Sequence, residues 1–592
     1  MKIRLAAAVI VALFIASGLT TVVGNGNASS TSSNSVLTVG VVNPGPIHAL
    51  NPFFPAGQSS LAVSDLLGVM YLSMLSQDPN GTLSPQLAQS WTVNSNATQF
   101  TFNLRPNLKW SDGQPLTSED VVFTFHAFMS NPLLDAFNGF IVGPLIQNVT
   151  AVSATPVRFT LYHSFAPFLQ YAGLGKVIVP QHIWSKVSNI TNYSNTANPV
   201  GDGPFVITNW SPGASVIHYS PNPYYYGPKP KLAGIAVQIL SSTSNIASLL
   251  ETGSLDLAQP VSSQISALKS VSNMNLAQSP GEAVFGTYFD PAGLLLFDNL
   301  LYPYNITQVR QAIAYGINRT QVVELGLNGY GTPGSQGQLP PSMTQWIPSN
   351  LPNYTFNPSL AKQMLINQGF KLGSNGFLEF PNGTAWTPQI IDTGGATSNI
   401  VSVIVQNLRS AGIDASELVV TIGTLVSALQ YGNFDMVLLS TNRPPIPDFV
   451  LGVFASNTTT PIGQKELNYH GWTRWTNATF WNDLQQARQI GSFSGQYTLY
   501  ANAQLILATQ LPLITLYYSP SIWAYSNATI RGWGPALQGY QFPQATLLTS
   551  LSGSASTSSS NGSIIIYAAV GITVIVVMAI IAAVTLTRRR RR

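Results

Sequence analysis

The segment from Leu104 to Phe123, LRPNLKWSDGQPLTSEDVVF, places a turn, a helix cap and an apolar helix face in direct succession. Asp112 and Gly113 supply the turn, because Gly adopts a positive φ at little cost and Asp bonds its own backbone. Thr117 stands at the N-cap position, and Asp120 follows three residues later as in a capping box. We therefore predict that a strand, a turn and a helix meet here.

Strand and helix patterns alternate along much of the chain. The β-branched run from Val36 to Val42 predicts a first strand, and Leu513 to Tyr518 predicts a buried one. Asn357-Pro358 is a cap followed by Pro at the first helical position, and Tyr497 to Thr509 has helical spacing. Such alternation predicts α/β layers with mixed sheets in more than one lobe.

The charge of the chain is concentrated at its ends. Charged residues make up only 8% of the sequence, about a third of the usual share. Without Arg588 to Arg592, Lys2 and Arg4, the basic count falls from 25 to 18 against 21 acidic residues, which gives a net charge of −3. No basic stripe remains, so we do not expect nucleic-acid binding.

The first residues have the layout of a secretory signal. Lys2 and Arg4 precede the apolar run from Leu5 to Ala16, and small polar residues follow. We predict a signal peptide over residues 1–28; an uncleaved membrane anchor is the alternative. The chain has no cysteine, which excludes disulfides, thiolate metal sites and a lipid-modified Cys.

The last residues predict a membrane anchor. A Ser/Thr-rich tract over residues 552–563 predicts a flexible stalk. Residues 564–586 carry no charge and are long enough to cross a bilayer, and a basic tail follows at 587–592. The positive-inside rule puts this tail in the cytoplasm and the rest of the mature protein outside the cell. Sequons such as Asn148-Val-Thr suit a glycosylated exterior.

Catalytic motifs are missing from the sequence. It contains no G-x-S-x-G elbow, no H-E-x-x-H and no G-x-x-x-x-G-K-[ST] phosphate loop, and its six His residues have no ligand spacing. Gly329, Gly331 and Gly334 match the letters of a dinucleotide fingerprint, but they follow a predicted helix instead of a strand. We predict a Gly-rich loop there, and neither an enzyme, a cofactor nor a metal site.

Aromatic residues in polar surroundings are the remaining candidates for ligand contact. Trp472 and Trp475 lie in the sequence HGWTRW, beside Arg474. Such rings can stack on sugar rings or on peptide side chains, whereas burial in the core is the ordinary alternative.

A series of short motifs runs in order between Val36 and about Leu551. They are Leu83-x-Pro85-x-Leu87-Ala88-x-Ser90-Trp91, the opening segment, Val179-Pro180-x-His182-Ile183-Trp184, Asn198-Pro199-Val200-Gly201-x-Gly203-Pro204-Phe205, Asn222-Pro223-x-Tyr225, Gly253-x-Leu255-Asp256, Val309-Arg310-Gln311-Ala312-Ile313-Ala314-Tyr315 and Phe356-Asn357-Pro358. In these motifs and their order the chain resembles the extracytoplasmic solute-binding proteins of ABC transporters, family 5, the dipeptide and oligopeptide group. The stalk and anchor are similar to those of archaeal members.

The resemblance implies a two-lobed, periplasmic-binding-protein-like α/β fold, with an extra subdomain in the first lobe and a C-terminal transmembrane helix. The expected divisions are the first lobe over 36–55, 181–270 and 506–550, the extra subdomain over 56–180 and the second lobe over 271–505. Gly201, Gly203 and Pro204 are expected to shape a turn. Arg310 is expected to support helix packing.

The resemblance also implies a receptor that delivers a solute to a permease powered by separate ATPase subunits. Peptide binders of this family usually hold the ligand's α-ammonium with an Asp before a Pro-Asp turn, but Arg443 or Pro445 stands there in this chain. Asp448 is close enough to be a substitute. The expected ligand is a peptide, with an oligosaccharide as a nearly equal alternative, and a secreted hydrolase or a surface-layer adhesion protein as remote ones. The candidate ligand residues are Asn442, Arg443, Asp448, Trp472 and Trp475.

Overall fold

The computed structural model describes most of the chain between residues 35 and 553. The described ranges are 35–43, 45–53, 61–77, 82–131, 134, 142–196, 199–279, 282–284, 287–443, 447–452, 457–466, 471–533 and 544–553. The predicted signal peptide, transmembrane helix and cytoplasmic tail, and the stalk from residue 554 onward, lie outside the described residues. Within those ranges, every helix is too short or too polar to cross a membrane.

The described residues form both strands and helices, and the two alternate mainly beyond residue 245, as the sequence predicts. As far as residue 184 they are β1 Val36–Val42, α1 Leu61–Gly68, β2 Leu75–Gln77, β3 Leu83–Pro85, β4 Ala88–Val93, β5 Gln99–Leu104, α2 Ser118–Ser130, α3 Val142–Leu145, β6 Ile146–Ala151, β7 Pro156–Leu161, a π-helix Leu169–Leu174 and α4 Gln181–Trp184. Up to residue 279 they are β8 Phe205–Asn209, β9 Val216–Pro221, β10 Gly234–Leu240, α5 Ile246–Glu251, β11 Leu257–Ala258, a 3-10 helix Ser262–Gln264, α6 Ile265–Leu268 and β12 Met274–Ser279.

The elements that follow make up the second lobe and a return to the first. The second-lobe elements are β13 Glu282–Val284, β14 Thr287–Phe297, α7 Thr307–Tyr315, α8 Arg319–Gln321, a π-helix Val322–Gly326, β15 Thr332–Pro333, a 3-10 helix Pro341–Trp346, α9 Pro358–Asn367, β16 Lys371–Leu372, β17 Leu378–Glu379, β18 Gln389–Asp392, α10 Ala396–Ser410, β19 Ser416–Val419, α11 Ile422–Tyr431, β20 Met436–Arg443, α12 Pro447–Gly452, α13 Ala478–Ala487, α14 Phe493–Gln510 and β21 Leu513–Tyr518. The returning elements are β22 Ser521–Ser526, β23 Ile530–Arg531, α15 Ala545–Ser550 and β24 Ser552–Gly553.

The first lobe is built on a mixed sheet with β1 at its centre. The strand order is β12-β22-β11-β1-β10-β9-β8, and β1 runs parallel to both of its neighbours. Leu37 and Val39 are completely buried in β1, since a central strand covered on both faces is made of apolar, β-branched residues.

The extra subdomain contains a four-stranded antiparallel sheet, β4-β5-β7-β6, with α2 packed beside it. The predicted capping box is present, because Asp120 Oδ2 accepts a hydrogen bond from the N–H of Thr117 at 2.8 Å and Thr117 Oγ1 accepts one from Glu119 at 3.3 Å. The other oxygen of Asp120 accepts from the N–H of Gln181 at 2.9 Å, at the start of α4. One carboxyl therefore caps two helices.

The second lobe has a sheet ordered β15-β21-β14-β20-β18-β19, with β13 paired to β14. One face packs a core that contains Phe297, Val309 and Ile404, and the other packs a core that contains Leu425, Trp475 and Leu484. Because both faces are covered, the central strands contain continuous apolar runs, Leu294 to Phe297 in β14 and Met436 to Leu439 in β20.

The sheets to which three strands belong move three of the boundaries that were expected between the lobes and the stalk. Strand β12 pairs with β22 in the first-lobe sheet, although the sequence assigned the second lobe from residue 271. Strand β21 belongs to the second-lobe sheet, so the return begins at Ser521 instead of residue 506. Ser552 and Gly553 pair with β23, so these two residues of the predicted stalk belong to the folded part. In each case the strand's partner is distant in sequence.

Candidate functional site

The carboxyl ends of parallel strands give the first indication of where a ligand would bind. In the second lobe β18 runs parallel to β19 on one side and to β20 on the other. In open α/β sheets, ligands bind outside the carboxyl ends of the strands at such a switch point. The carboxyl end of β20 leads, after residues 444–446, into α12, which begins with Pro447 and Asp448.

A cavity of about 670 Å³ lies at the start of α12, between the extra subdomain and the second lobe. Its size falls within the usual range for small-molecule sites, about 300–1,000 Å³. From the subdomain it is lined by Asn94, Ser95, Ala166 and Gln170, among others. From the second lobe it is lined by residues that include Trp346, Asp448, Gln489, Ser492, Gln496 and Tyr500.

Amides, hydroxyls and aromatic rings make up about half of this lining, and aliphatic residues make up most of the rest. The ring of Trp346 lies 4.3 Å from that of Phe493 and 5.6 Å from that of Tyr500, centroid to centroid. The backbone carbonyl of Trp346 accepts a hydrogen bond from Gln504 Nε2 at 2.8 Å. These contacts fix the indole at the cavity wall, where it can offer a flat apolar face between hydrogen-bonding groups.

The cavity wall carries a buried ion pair. Arg488 Nε lies 2.7 Å from Asp448 Oδ1, and the Tyr171 hydroxyl donates to Asp448 Oδ2 at 3.3 Å. The Asp448 side chain is 1% exposed. Burial alone would lower the pKa of Arg488, but the charge of Asp448 and the hydrogen bond to it outweigh this effect, and the pKa is raised. Burial, and secondarily the charge of Asp448, raises the pKa of Tyr500 well above its ordinary value.

Of the predicted ligand residues, the structure places Asp448 in the lining of this cavity. Asn442 and Arg443 end strand β20, opposite Pro291 and Asp290 on β14; their side chains lie outside the described part. Asp448 lines the cavity, but its carboxylate is already bound by Arg488. It is therefore not open to a ligand's α-ammonium, contrary to the role that the sequence suggested.

The two predicted tryptophans belong to the second-lobe core and not to the cavity lining. Trp475 is 6% exposed, donates from Nε1 to Gln510 Oε1 at 2.9 Å and packs edge-on against Phe480. Trp472 is partly buried against the same core. The burial of Trp475 argues against stacking on a ligand, whereas Trp472 is only partly buried and stays a prediction. The polar sequence around both rings has a structural reason.

That reason is the buried guanidinium of Arg474, which closes the end of helix α11. It donates to the carbonyl oxygens of Leu429 at 3.1 Å and Gln430 at 2.8 Å. A cation at a helix C-terminus satisfies carbonyls that have no partner within the helix. Residues 471–475 therefore cap this helix, with the rings of Trp472 and Trp475 packed against the second-lobe core.

The cavity residues that the sequence did not reveal are Trp346, Tyr500 and the Gln side chains. Tyr500 and Gln496 lie four residues apart on α14 and so share a face. This spacing is the only local signal, and it is equally typical of a core face. Within the described ranges, no group of three His, Asp or Glu side chains is arranged to hold a metal ion.

Comparison with known proteins agrees with this architecture. The family model for bacterial extracellular solute-binding proteins, family 5, matches residues 82–461. The dipeptide-binding protein of Escherichia coli is 24% identical over 455 residues, covering 74% of this chain and 81% of its own.

Solved structures show the same two-lobed fold. The periplasmic oligopeptide-binding protein of an oligopeptide ABC transporter from Thermotoga maritima superimposes with a TM-score of 0.76 at 22% identity, over 88% of this chain and 100% of the other. The mannohexaose-bound form of that protein gives a TM-score of 0.69 at 22% identity, over 88% and 99%. The chain belongs to family 5 of the bacterial extracellular solute-binding proteins, and it is a binding protein, not an enzyme.

Proposed function

We propose that this receptor of an ABC importer captures an oligomeric solute in the cavity between the extra subdomain and the second lobe. The observation that carries the proposal is a cavity of about 670 Å³ that amides and hydroxyls line from both sides and that aromatic rings line from the second lobe. Solute would favour the closed arrangement by touching both walls at once, and the closed receptor would dock on a permease. The 592 residues contain no phosphate loop, so separate subunits would hydrolyse ATP.

We place an oligosaccharide first and a peptide second as the solute. The acid in the described lining, Asp448, is already paired with Arg488, which leaves no other carboxylate in the described lining to hold a free α-ammonium. Sugar hydroxyls suit the amides of Gln170, Gln489 and Gln496, and a sugar ring suits the face of Trp346. A mannohexaose complex is known for the Thermotoga relative, whereas the Escherichia coli relative is a dipeptide-binding protein.

Calorimetric titration of the full-length protein in detergent tests both parts of the proposal. The ligands are manno-, cello- and malto-oligosaccharides, free dipeptides, and longer peptides with free and acetylated N-termini. We expect an oligosaccharide to bind and to raise Tm as its concentration exceeds the dissociation constant. Tight binding of peptides with a free N-terminus, but not of acetylated peptides, would show that the solute is a peptide and not an oligosaccharide. Absence of binding and of any Tm shift across the whole panel would end the receptor proposal.

Arg443 gives a second test, since the family resemblance puts either Arg443 or Pro445 where peptide binders carry their acid. We expect Arg443→Ala to change solute affinity. An unchanged dissociation constant would remove Arg443 from the site.

We also propose that residues 564–586 anchor the receptor in the membrane, with the folded part outside the cell. The uncharged run and the basic tail support this placement. The full chain should sediment with membranes and be extracted only by detergent, whereas a chain ending at Gly553 should be released. Release of both chains would refute the anchor.

A further inference from the structure

We propose that Tyr171, Asp448 and Arg488 form a latch that holds the extra subdomain against the second lobe and thereby sets the affinity for solute. The inference rests on the proposed receptor function. It assigns a positioning role to groups beside the cavity and does not require them to touch the solute.

The latch joins two different parts of the chain through three contacts. The backbone N–H of Ala166 donates to the carbonyl oxygen of Arg488 at 2.6 Å. The hydroxyl of Tyr171 donates to Asp448 Oδ2 at 3.3 Å, and the Arg488 guanidinium lies 5.6 Å from the ring centroid of Phe165. Phe165, Ala166 and Tyr171 belong to the subdomain, whereas Asp448 and Arg488 belong to the second lobe.

The ion pair itself lies within the second lobe and holds the latch in position. Arg488 Nε contacts Asp448 Oδ1 at 2.7 Å, so the carboxylate keeps a charged partner whether or not the subdomain is in contact. Separation of the lobes would take the Tyr171 hydroxyl from the carboxylate and the Ala166 N–H from the Arg488 carbonyl. Water would then replace both partners, so the cost of opening is modest. A contact of this strength biases closure without locking it.

The position of the latch links it to the cavity. Ala166 and Asp448 are themselves part of the cavity wall, and residues 489–492, which also line it, directly follow Arg488. A solute in the cavity holds the two walls close together. The latch stabilises this same closed arrangement. The measured dissociation constant then depends on how much of the free protein is already closed, because a smaller closed fraction weakens apparent binding in proportion.

A second contact between the lobes differs in its exposure. Asn328 Nδ2 donates to Ser262 Oγ at 3.0 Å, and Lys269 Nζ lies 5.4 Å from the centroid of the Tyr330 ring. Asn328 and Lys269 are exposed to solvent, where polar contacts are weakened by competition with water. We therefore expect these exposed contacts to add less to closure than the buried latch, where the ring of Tyr171 also lies 6.0 Å from that of Phe449, centroid to centroid.

Distance measurements between spin labels test the latch without any solute. The chain has no cysteine, so Val152→Cys in the subdomain and Leu372→Cys in the second lobe, both exposed, would label specifically. In the full-length protein we expect Tyr171→Phe and Arg488→Lys to shift the solute-free distances to longer values. Each should also weaken solute binding by about three- to tenfold, as loss of one such hydrogen bond implies.

Asp414→Asn is the matched control. It breaks an ion pair of the same length, 2.7 Å between Arg409 Nη2 and Asp414 Oδ1, that lies wholly within the second lobe. It should leave the distances and the affinity unchanged. An unchanged distance distribution in Tyr171→Phe, or an equal shift in the control, would overturn the latch. If no solute binds the wild type, the receptor proposal fails, yet the solute-free distances still decide the latch.

Discussion

The carboxyl oxygen Oδ1 of Asp202 accepts a hydrogen bond from the backbone N–H of Leu72, in the extra subdomain, at 3.0 Å. The side chain is 2% exposed. Burial raises its pKa well above the ordinary value of 3.8; the hydrogen bond from Leu72 offsets part of the rise, and the charge of Asp120 adds to it. The protonated form of Asp202 is therefore the one that the fold favours.

This raised pKa predicts that stability falls as pH rises. A carboxyl with a raised pKa contributes fully below its unfolded value of 3.8, and the contribution is lost as pH rises through the folded-state pKa. We expect the wild-type Tm to fall as pH rises above the unfolded-state value of 3.8. Asp202→Asn should flatten this slope, and Asp414→Asn should keep it. An identical slope in Asp202→Asn would show that Asp202 does not titrate in this range.

A substitution at Gly201 tests the turn that was predicted for the motif from Asn198 to Phe205. A Cβ at Gly201 would lie 2.1 Å from the carbonyl oxygen of Met70, a backbone atom that cannot move aside cheaply. We expect Gly201→Ala to lower the free energy of unfolding by at least about 1–3 kcal/mol, measured by denaturant titration. The control is Gly423→Ala in α11, where the nearest atom would be 3.9 Å away. That change should raise stability by up to about 1 kcal/mol.

Arg310 holds the end of helix α14, as its expected structural role requires. Its buried guanidinium donates to the carbonyl oxygens of Gln510, Leu511 and Tyr304. Arg310→Met would leave these acceptors without a charged donor and should cost at least about 2 kcal/mol of unfolding free energy. The control Arg409→Met, at the surface, should cost under about 1 kcal/mol. Solute affinity of the folded Arg310 variant should stay unchanged; a large change would instead connect Arg310 to the site.

The sequence predicted those features whose causes lie within a few residues. The capping box depends on Thr117 and on Asp120 three positions later, and strand β1 follows from a single β-branched run. The family motifs added the two-lobed arrangement. Local sequence signals predicted which segments are strands and which are helices, but the predicted lobe boundaries were in error. The lobe to which β12 or β21 belongs depends on the strands with which it pairs, and these lie far along the chain.

The candidate site could not be predicted in the same way, since its contacts are long-range. Asp448 is neutralised by Arg488, forty residues later. Trp475 donates a hydrogen bond to Gln510 and lies in the core, although its sequence neighbours are polar. The polar sequence therefore did not indicate that Trp475 is buried. Trp346 is positioned by rings more than a hundred residues away on α14. Residue type alone does not distinguish a ring at a cavity wall from one in a core.

Trp346 and Trp475 therefore form a matched pair for locating the site. Trp346→Ala removes the flat face at the cavity wall and should weaken solute binding by about tenfold or more, as loss of a central aromatic contact does. Trp475→Phe removes the hydrogen bond to Gln510 Oε1 and should lower the free energy of unfolding by about 1 kcal/mol without changing affinity. Calorimetric titration gives the dissociation constant of each variant, and denaturant unfolding gives its free energy of unfolding. If Trp475→Phe weakens binding and Trp346→Ala does not, the solute is held near the HGWTRW segment, and the cavity between subdomain and second lobe is not the binding site.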